Sequence, residues 1–107
     1  MKSFRTTVPT LALTAMAALA TPGAQAQDAN LARNLAATCA NCHGTNGQAR
    51  GDMKVLAGVS ADKIVAAMAD YKSGNQPATI MHQISKGYTD EQIKLIADYL
   101  AAQQPKK

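Results

Sequence analysis

Aromatic side chains are scarce in this sequence: there is no Trp, one Phe and three Tyr among 107 residues. Strand signals are nearly absent as well. No basic stripe or cluster runs through the chain, so nucleic-acid binding has no support. The longest apolar run, Val8 to Ala20, falls short of the roughly 20 residues that a membrane span needs, and nothing after it is apolar enough to act as one. The length excludes a multidomain enzyme and allows one small core.

What is present begins with a leader. Lys2 and Arg5 form a short positive region ahead of the Leu- and Ala-rich run, and Ala24-Gln25-Ala26 supplies the small residues that a signal peptidase cuts after. Residues 1–26 are therefore expected to be a secretory signal, with the mature, soluble, exported domain over residues 27–107. The only Phe, Phe4, lies in that leader, so the mature domain has Tyr71, Tyr88 and Tyr99 as its whole aromatic supply. A domain this small has little burial to spare, and something other than side chains should help fill its core. Removing Lys2 and Arg5 from the eleven basic residues leaves nine against seven acidic ones, a side-chain net of +2.

Gly and Pro divide the rest into short helical pieces. Asp28 or Asn30 is a plausible N-cap for a first helix with apolar residues at 31 or 32, 35 or 36, and 39, ending near Cys42. Residues 44–59 carry Gly44, Gly47, Gly51 and Gly58 among polar residues and read as a wrapping loop. Ser60 is placed to cap a second helix with Ile64, Ala67 or Met68, and Tyr71 on one stripe, and Gly74 fits just past its end. Pro77 and Thr79 open a short third helix through Ile80, Met81 and Ile84, stopped by Gly87, and burial of Ile80 and Ile84 is expected to stabilise the segment from Thr79 to Lys86 that carries Met81. Thr89-Asp90-Glu91-Gln92 is a capping box before Ile93, Ile96, Ala97 and Leu100, which places a fourth helix there. The predicted fold is all-α, with four short helices and a long loop after the first.

The chemistry lies in Cys39-Ala40-Asn41-Cys42-His43, the attachment pattern of haem c. Two thiols three residues apart on a helical turn face one way, so each can add across one vinyl group at a haem edge. His43 follows at once, placed to offer Nε2 to the iron while Nδ1–H donates to a backbone carbonyl and fixes the tautomer. Covalent haem would also supply the missing aromatic bulk.

Three rival readings of the same residues are weaker. A thioredoxin-type dithiol needs a βαβ context that this helical chain lacks. Cys39, Cys42, His43 and His82 make a zinc inventory, but without the paired histidine spacing of such sites. A Cys39–Cys42 disulfide would close too short a loop to act as a useful staple. For the sixth ligand the candidates are Met53, Met68, Met81 and His82. Met68 reads most simply as core, and Met53 lies too few residues after the motif to pass round the ring. Met81 and His82, about forty residues on, both have the reach, and His82 would give bis-His ligation of lower potential.

With these residues in view the chain resembles the class I cytochromes c over the whole mature domain. The resemblance rests on Cys-Ala-Asn-Cys-His-Gly at 39–44 behind a first helix, Leu56-Ala57-Gly58 after the loop, a distal Met, and Ala97-Asp98-Tyr99-Leu100 on the last helix. It implies one haem c wrapped by the four helices, first and last helices that cross with an aromatic at the contact, and Met81 as the sixth ligand. Many members carry a Pro before Leu-Ala-Gly whose carbonyl accepts from the proximal His; this chain has Met53-Lys54-Val55 instead. Residues 71–90, with Tyr71-Lys72-Ser73-Gly74, Ala78-Thr79-Ile80-Met81 and Ile84-Ser85-Lys86-Gly87-Tyr88-Thr89-Asp90, are similar to the haem subunit of flavocytochrome c sulfide dehydrogenase. That similarity implies a non-catalytic periplasmic electron carrier whose partner is a sulfide-oxidising flavoprotein. The alternative is a free shuttle between respiratory complexes, and a haem-based ligand binder or peroxidase stands behind both. Lys72, Lys86 and Arg50 are candidates to neutralise propionates or to steer a partner, with solvated surface charge the simpler reading of each.

Overall fold

The computed structural model describes residues 30–106, and the expected leader lies outside the described residues. Those residues contain no strand. The helices are α1 (Leu31–Ala36), α2 (Ala40–His43), α3 (Ala61–Ser73), α4 (Met81–Ile84) and α5 (Asp90–Ala101). A 3-10 turn over Ala37–Cys39 makes α1 and α2 one helical stretch, and a second over Ser85–Gly87 extends α4. The result is the all-α arrangement of four helical stretches that the sequence predicts. No described helix is long and apolar enough to cross a membrane.

Helix α5 forms where local and tertiary preferences agree. Thr89 Oγ1 accepts from Gln92 N at 3.1 Å while Gln92 Oε1 accepts from Thr89 N at 2.9 Å, so the capping box is complete. Ile93, Ile96, Ala97 and Leu100 are buried along one stripe, as the spacing predicts. Helix α3 starts after Ser60, but the Ser60 side chain makes no capping bond; its carbonyl accepts from Ile64 N at 3.2 Å. The expected side-chain cap is absent because Ser60 contributes only its backbone. Gly74 ends α3 in the left-handed region at φ 81°, a conformation that costs a residue without a Cβ nothing.

The core lies where α1 and α3 pack against α5. Ala36, Ile64, Ile96, Ala97 and Leu100 form one buried cluster, and Ala97 is completely covered. Small residues at 36 and 97 let α1 and α5 approach closely. Tyr99 packs against this cluster and donates from its hydroxyl to Asn46 Oδ1 at 2.7 Å, which puts the expected aromatic at the contact and ties α5 to the loop.

The loop over 44–59 contains one element that glycine content hides, a 3-10 turn at Thr45–Gly47. Gly47 has φ 74°, and its carbonyl accepts from Leu56 N at 2.9 Å and Ala57 N at 3.1 Å. A Cβ there would meet Ala57 N at 2.7 Å and Leu100 Cδ2 at 3.1 Å. The loop therefore closes on itself and against α5, which fixes the stretch from Met53 to Leu56 beside α2. Gly58 N then donates to Leu100 O at 3.0 Å.

Candidate functional site

A cavity of about 1050 Å³ opens between these elements. The α1–α2 stretch contributes Thr38, Cys39, Cys42 and His43, the loop contributes Met53, Lys54 and Leu56, and the segment around α4 contributes Ile80, Met81 and Ile84. Helices α3 and α5 complete it with Ile64, Met68, Ile93, Ile96 and Leu100. Its volume lies just above the roughly 300–1,000 Å³ of pockets that hold organic ligands. The lining is dominated by aliphatic and thioether side chains, so it suits a large apolar guest.

The turn at 37–39 and helix α2 give Cys39 and Cys42 to the same cavity. Cys42 is exposed and Cys39 half-buried, and both thiols are free. Burial pushes the Cys39 thiol above its ordinary pKa, with a hydrogen bond from Thr38 opposing the shift. His43 Nδ1 lies 2.8 Å from the carbonyl oxygen of Lys54. With Nδ1 engaged as a donor to that carbonyl, Nε2 is the nitrogen left with a lone pair. The Lys54 carbonyl thus takes the place that the resemblance to class I cytochromes c gives to a Pro carbonyl at this loop.

The structure sorts the distal candidates. Met81 lines the cavity from α4 and is half-buried. Met68 lines it from α3 and packs against the core cluster, in keeping with a core reading. Met53 also reaches the cavity, although its position in sequence spoke against it, because the loop folds back at Gly47. His82 does not line the cavity; its Nδ1 is buried without a hydrogen-bond partner among the described residues. Cys39, Cys42, His43 and His82 are not gathered into a metal-binding group, and no cluster of three or more His, Cys, Asp or Glu suited to a metal occurs among the described residues.

Two expectations need correction. Ile80 and Ile84 were expected to hold the distal segment by burial, but they are 55% and 38% exposed. Both line the cavity instead of packing into the protein core. Lys72 is a partly covered charge with fixed partners: its Nζ donates to the carbonyl of Tyr88 at 2.8 Å and to Asp90 Oδ1 at 3.3 Å. Arg50 and Lys86 are exposed, as expected. The Tyr88 hydroxyl in turn shares a hydrogen bond with Thr38 Oγ1. These long-range pairs have no signature in the sequence, because no periodicity connects residues so far apart in the chain.

The chemistry of the donor set fits haem c: two thiols at the attachment spacing, an imidazole with one nitrogen already engaged, and a thioether, all on one apolar cavity. The comparisons with known proteins agree. The chain is 42% identical over 65 residues to the cytochrome subunit of sulfide dehydrogenase of Chlorobaculum tepidum, a match that covers 61% of this chain and 59% of the relative. It is 32% identical over 83 residues to cytochrome c-554(548) of Halomonas halodenitrificans, covering 74% of this chain and all of the relative. Among solved structures it matches a cytochrome c4 of Acidithiobacillus ferrooxidans with a TM-score of 0.60 and 30% identity, over 67% of this chain and 49% of that one. The chain thus spans about three fifths of the sulfide dehydrogenase subunit and half of the cytochrome c4. The cytochrome c family model matches residues 29–104, from just before α1 to beyond α5, and the chain belongs to the cytochrome c family, whose members hold haem c covalently.

Proposed function

We propose that this protein is a periplasmic electron carrier with one haem c, attached through Cys39 and Cys42 and ligated by His43 and Met81. The observation that carries the reading is the convergence of these four side chains on one apolar cavity while His43 Nδ1 is held by Lys54 O. Haem c supplies a one-electron couple at its iron. The protein's part is to fix the imidazole in one tautomer, to offer a soft thioether that raises the potential, and to exclude water with Ile64, Ile93, Ile96 and Leu100. Met53, Met68 and Met81 all line the cavity, and Met81 is the one that the resemblance to class I cytochromes c makes the sixth ligand. The periplasmic assignment follows the expected leader over residues 1–26.

Two partners are consistent with this chemistry. The 42% identity to a sulfide dehydrogenase cytochrome subunit supports a complex in which a sulfide-oxidising flavoprotein passes electrons singly to the haem. The end-to-end match to cytochrome c-554(548) supports a free shuttle between respiratory complexes. Expression with a haem c maturation system, followed by mass and optical spectra, tests cofactor and ligation: an exported apo mass would overturn the reading. Gentle isolation from the native source separates the partners. Co-elution with a flavin-containing subunit, with sulfide reducing the haem only in its presence, supports the complex. A monomer reduced equally well by unrelated donors supports the shuttle.

A further inference from the structure

We infer that Lys72 is a positioning residue that acts through Tyr88 to latch the segment carrying Met81. The inference rests on the proposed ligation by Met81. The segment between the end of α3 at Ser73 and the α5 cap at Thr89 has little of its own to hold it. Its one α-helix has four residues, its two isoleucines are exposed to the cavity, and among residues 74–88 only Ser85 is buried. Segments with so few buried apolar contacts open at low free energy.

Its two ends are nevertheless joined. Lys72, in the last turn of α3, donates from Nζ to Tyr88 O at 2.8 Å in a partly buried setting. An ammonium donating to a carbonyl is a charge-assisted bond, stronger than a neutral pair, and more so where water is partly excluded. Tyr88 is held at its other end by Thr38 Oγ1, next to the haem-attaching Cys39, and its side chain lines the cavity. Lys72, Tyr88 and Thr38 therefore run as one chain from α3, across the return of the distal segment, to the attachment turn. Asp90, 92% exposed and 3.3 Å from Nζ, adds little because solvent screens it. The carbonyl, and not the carboxylate, is the functional partner. Opening this chain would free the segment that carries Met81, while the α1–α5 cluster, against which Tyr88 packs but whose own residues make none of these bonds, would stay closed.

The test uses the matured, haem-loaded protein and three variants. Lys72→Met should raise the rate of carbon monoxide uptake by the ferrous protein about tenfold, the effect of losing one charge-assisted bond on a local opening. In the ferric form its long-wavelength sulfur-to-iron band should vanish at lower denaturant than the helical circular dichroism. Lys72→Arg should restore both properties, and Asp90→Asn should resemble wild type. Tyr88→Phe cuts the Thr38 end alone and should raise the uptake rate in the same direction; it reads the latch independently if Lys72→Met does not accumulate. Wild-type carbon monoxide kinetics in Lys72→Met, or in Tyr88→Phe where that is the variant read, overturn the latch while leaving Met81 ligation intact. A wild-type ferric protein that lacks the sulfur-to-iron band overturns Met81 ligation itself, and the latch with it.

Discussion

His43 Nδ1 and the carbonyl oxygen of Lys54 stand 2.8 Å apart, so the orientation of the imidazole is set by backbone and not by a side chain. Substitution at 54 should therefore be tolerated. Lys54→Ala is expected to leave the low-spin haem spectrum unchanged and to alter stability by less than about 0.5 kcal/mol, as exposed positions generally do. His43→Ala should abolish the stable low-spin spectrum. Optical spectra of the two matured variants check both statements, and a spectral change in Lys54→Ala would mean that the side chain takes part.

Met81 and His82 are neighbours with opposite surroundings, the first on the cavity and the second off it. Met81→Ala should remove the sulfur-to-ferric-iron band, admit carbon monoxide to the ferrous protein, and lower the potential by on the order of 0.1 V, a fraction of the roughly 0.8 V that axial ligands span. His82→Ala should do none of these. The reverse pattern would make the protein bis-His.

Which parts of this arrangement were legible in the sequence follows from the range of the interactions. The α5 capping box and its stripe at 93, 96, 97 and 100 depend on residues within two turns of one another, and they stand in the structure as the spacing predicts. The attachment motif is equally local. The Lys54 carbonyl was foreseeable as a need but not as a position, because the loop's course depends on the backbone turn at Gly47. Met53 reaches the cavity for the same reason. Ile80 and Ile84 were assigned to protein burial on hydrophobicity alone, although such side chains can equally await a cofactor. Lys72 and Tyr88 lie sixteen residues apart with an irregular segment between them, and no periodicity connects them.

Gly47 and Leu100 meet where the loop closes on α5, and there is no room for a side chain. Gly47→Ala must place a Cβ near Ala57 N and Leu100 Cδ2 while holding φ 74°. The nearest neighbour is backbone and cannot swing away, so the cost should reach about 2–3 kcal/mol. Denaturant unfolding of the matured protein measures it. Gly51→Ala, with φ 61° but open space around it, should cost less.

Ala97, fully covered at the crossing of α1 and α5, is limited in the same way from the helix side. Ala97→Leu adds volume to a contact that small residues define, and should destabilise the matured protein by about 1–3 kcal/mol. Its spectrum should stay low-spin, since residue 97 does not line the cavity. An altered spectrum with unchanged stability would mean that the crossing transmits to the iron.

The last prediction concerns the guest itself. The buried apolar residues among those described are Ala36, Ala57, Ile64, Ile93, Ile96, Ala97 and Leu100, and three of them are alanines. Fully burying an isoleucine or leucine contributes about 1.5–3 kcal/mol, and four such residues are few against the ordering entropy of a chain this long. The remaining aliphatic surface lines a cavity of about 1050 Å³ that protein atoms do not fill. Folding should thus depend on what occupies that cavity. Protein produced without haem maturation, or carrying both Cys39→Ala and Cys42→Ala, should lose more than about half of its helical circular dichroism and its cooperative unfolding transition. Either single cysteine variant, still holding one thioether, should fold with a lower midpoint. A haem-free chain that kept full helicity and a sharp transition would show that the seven-residue core suffices alone.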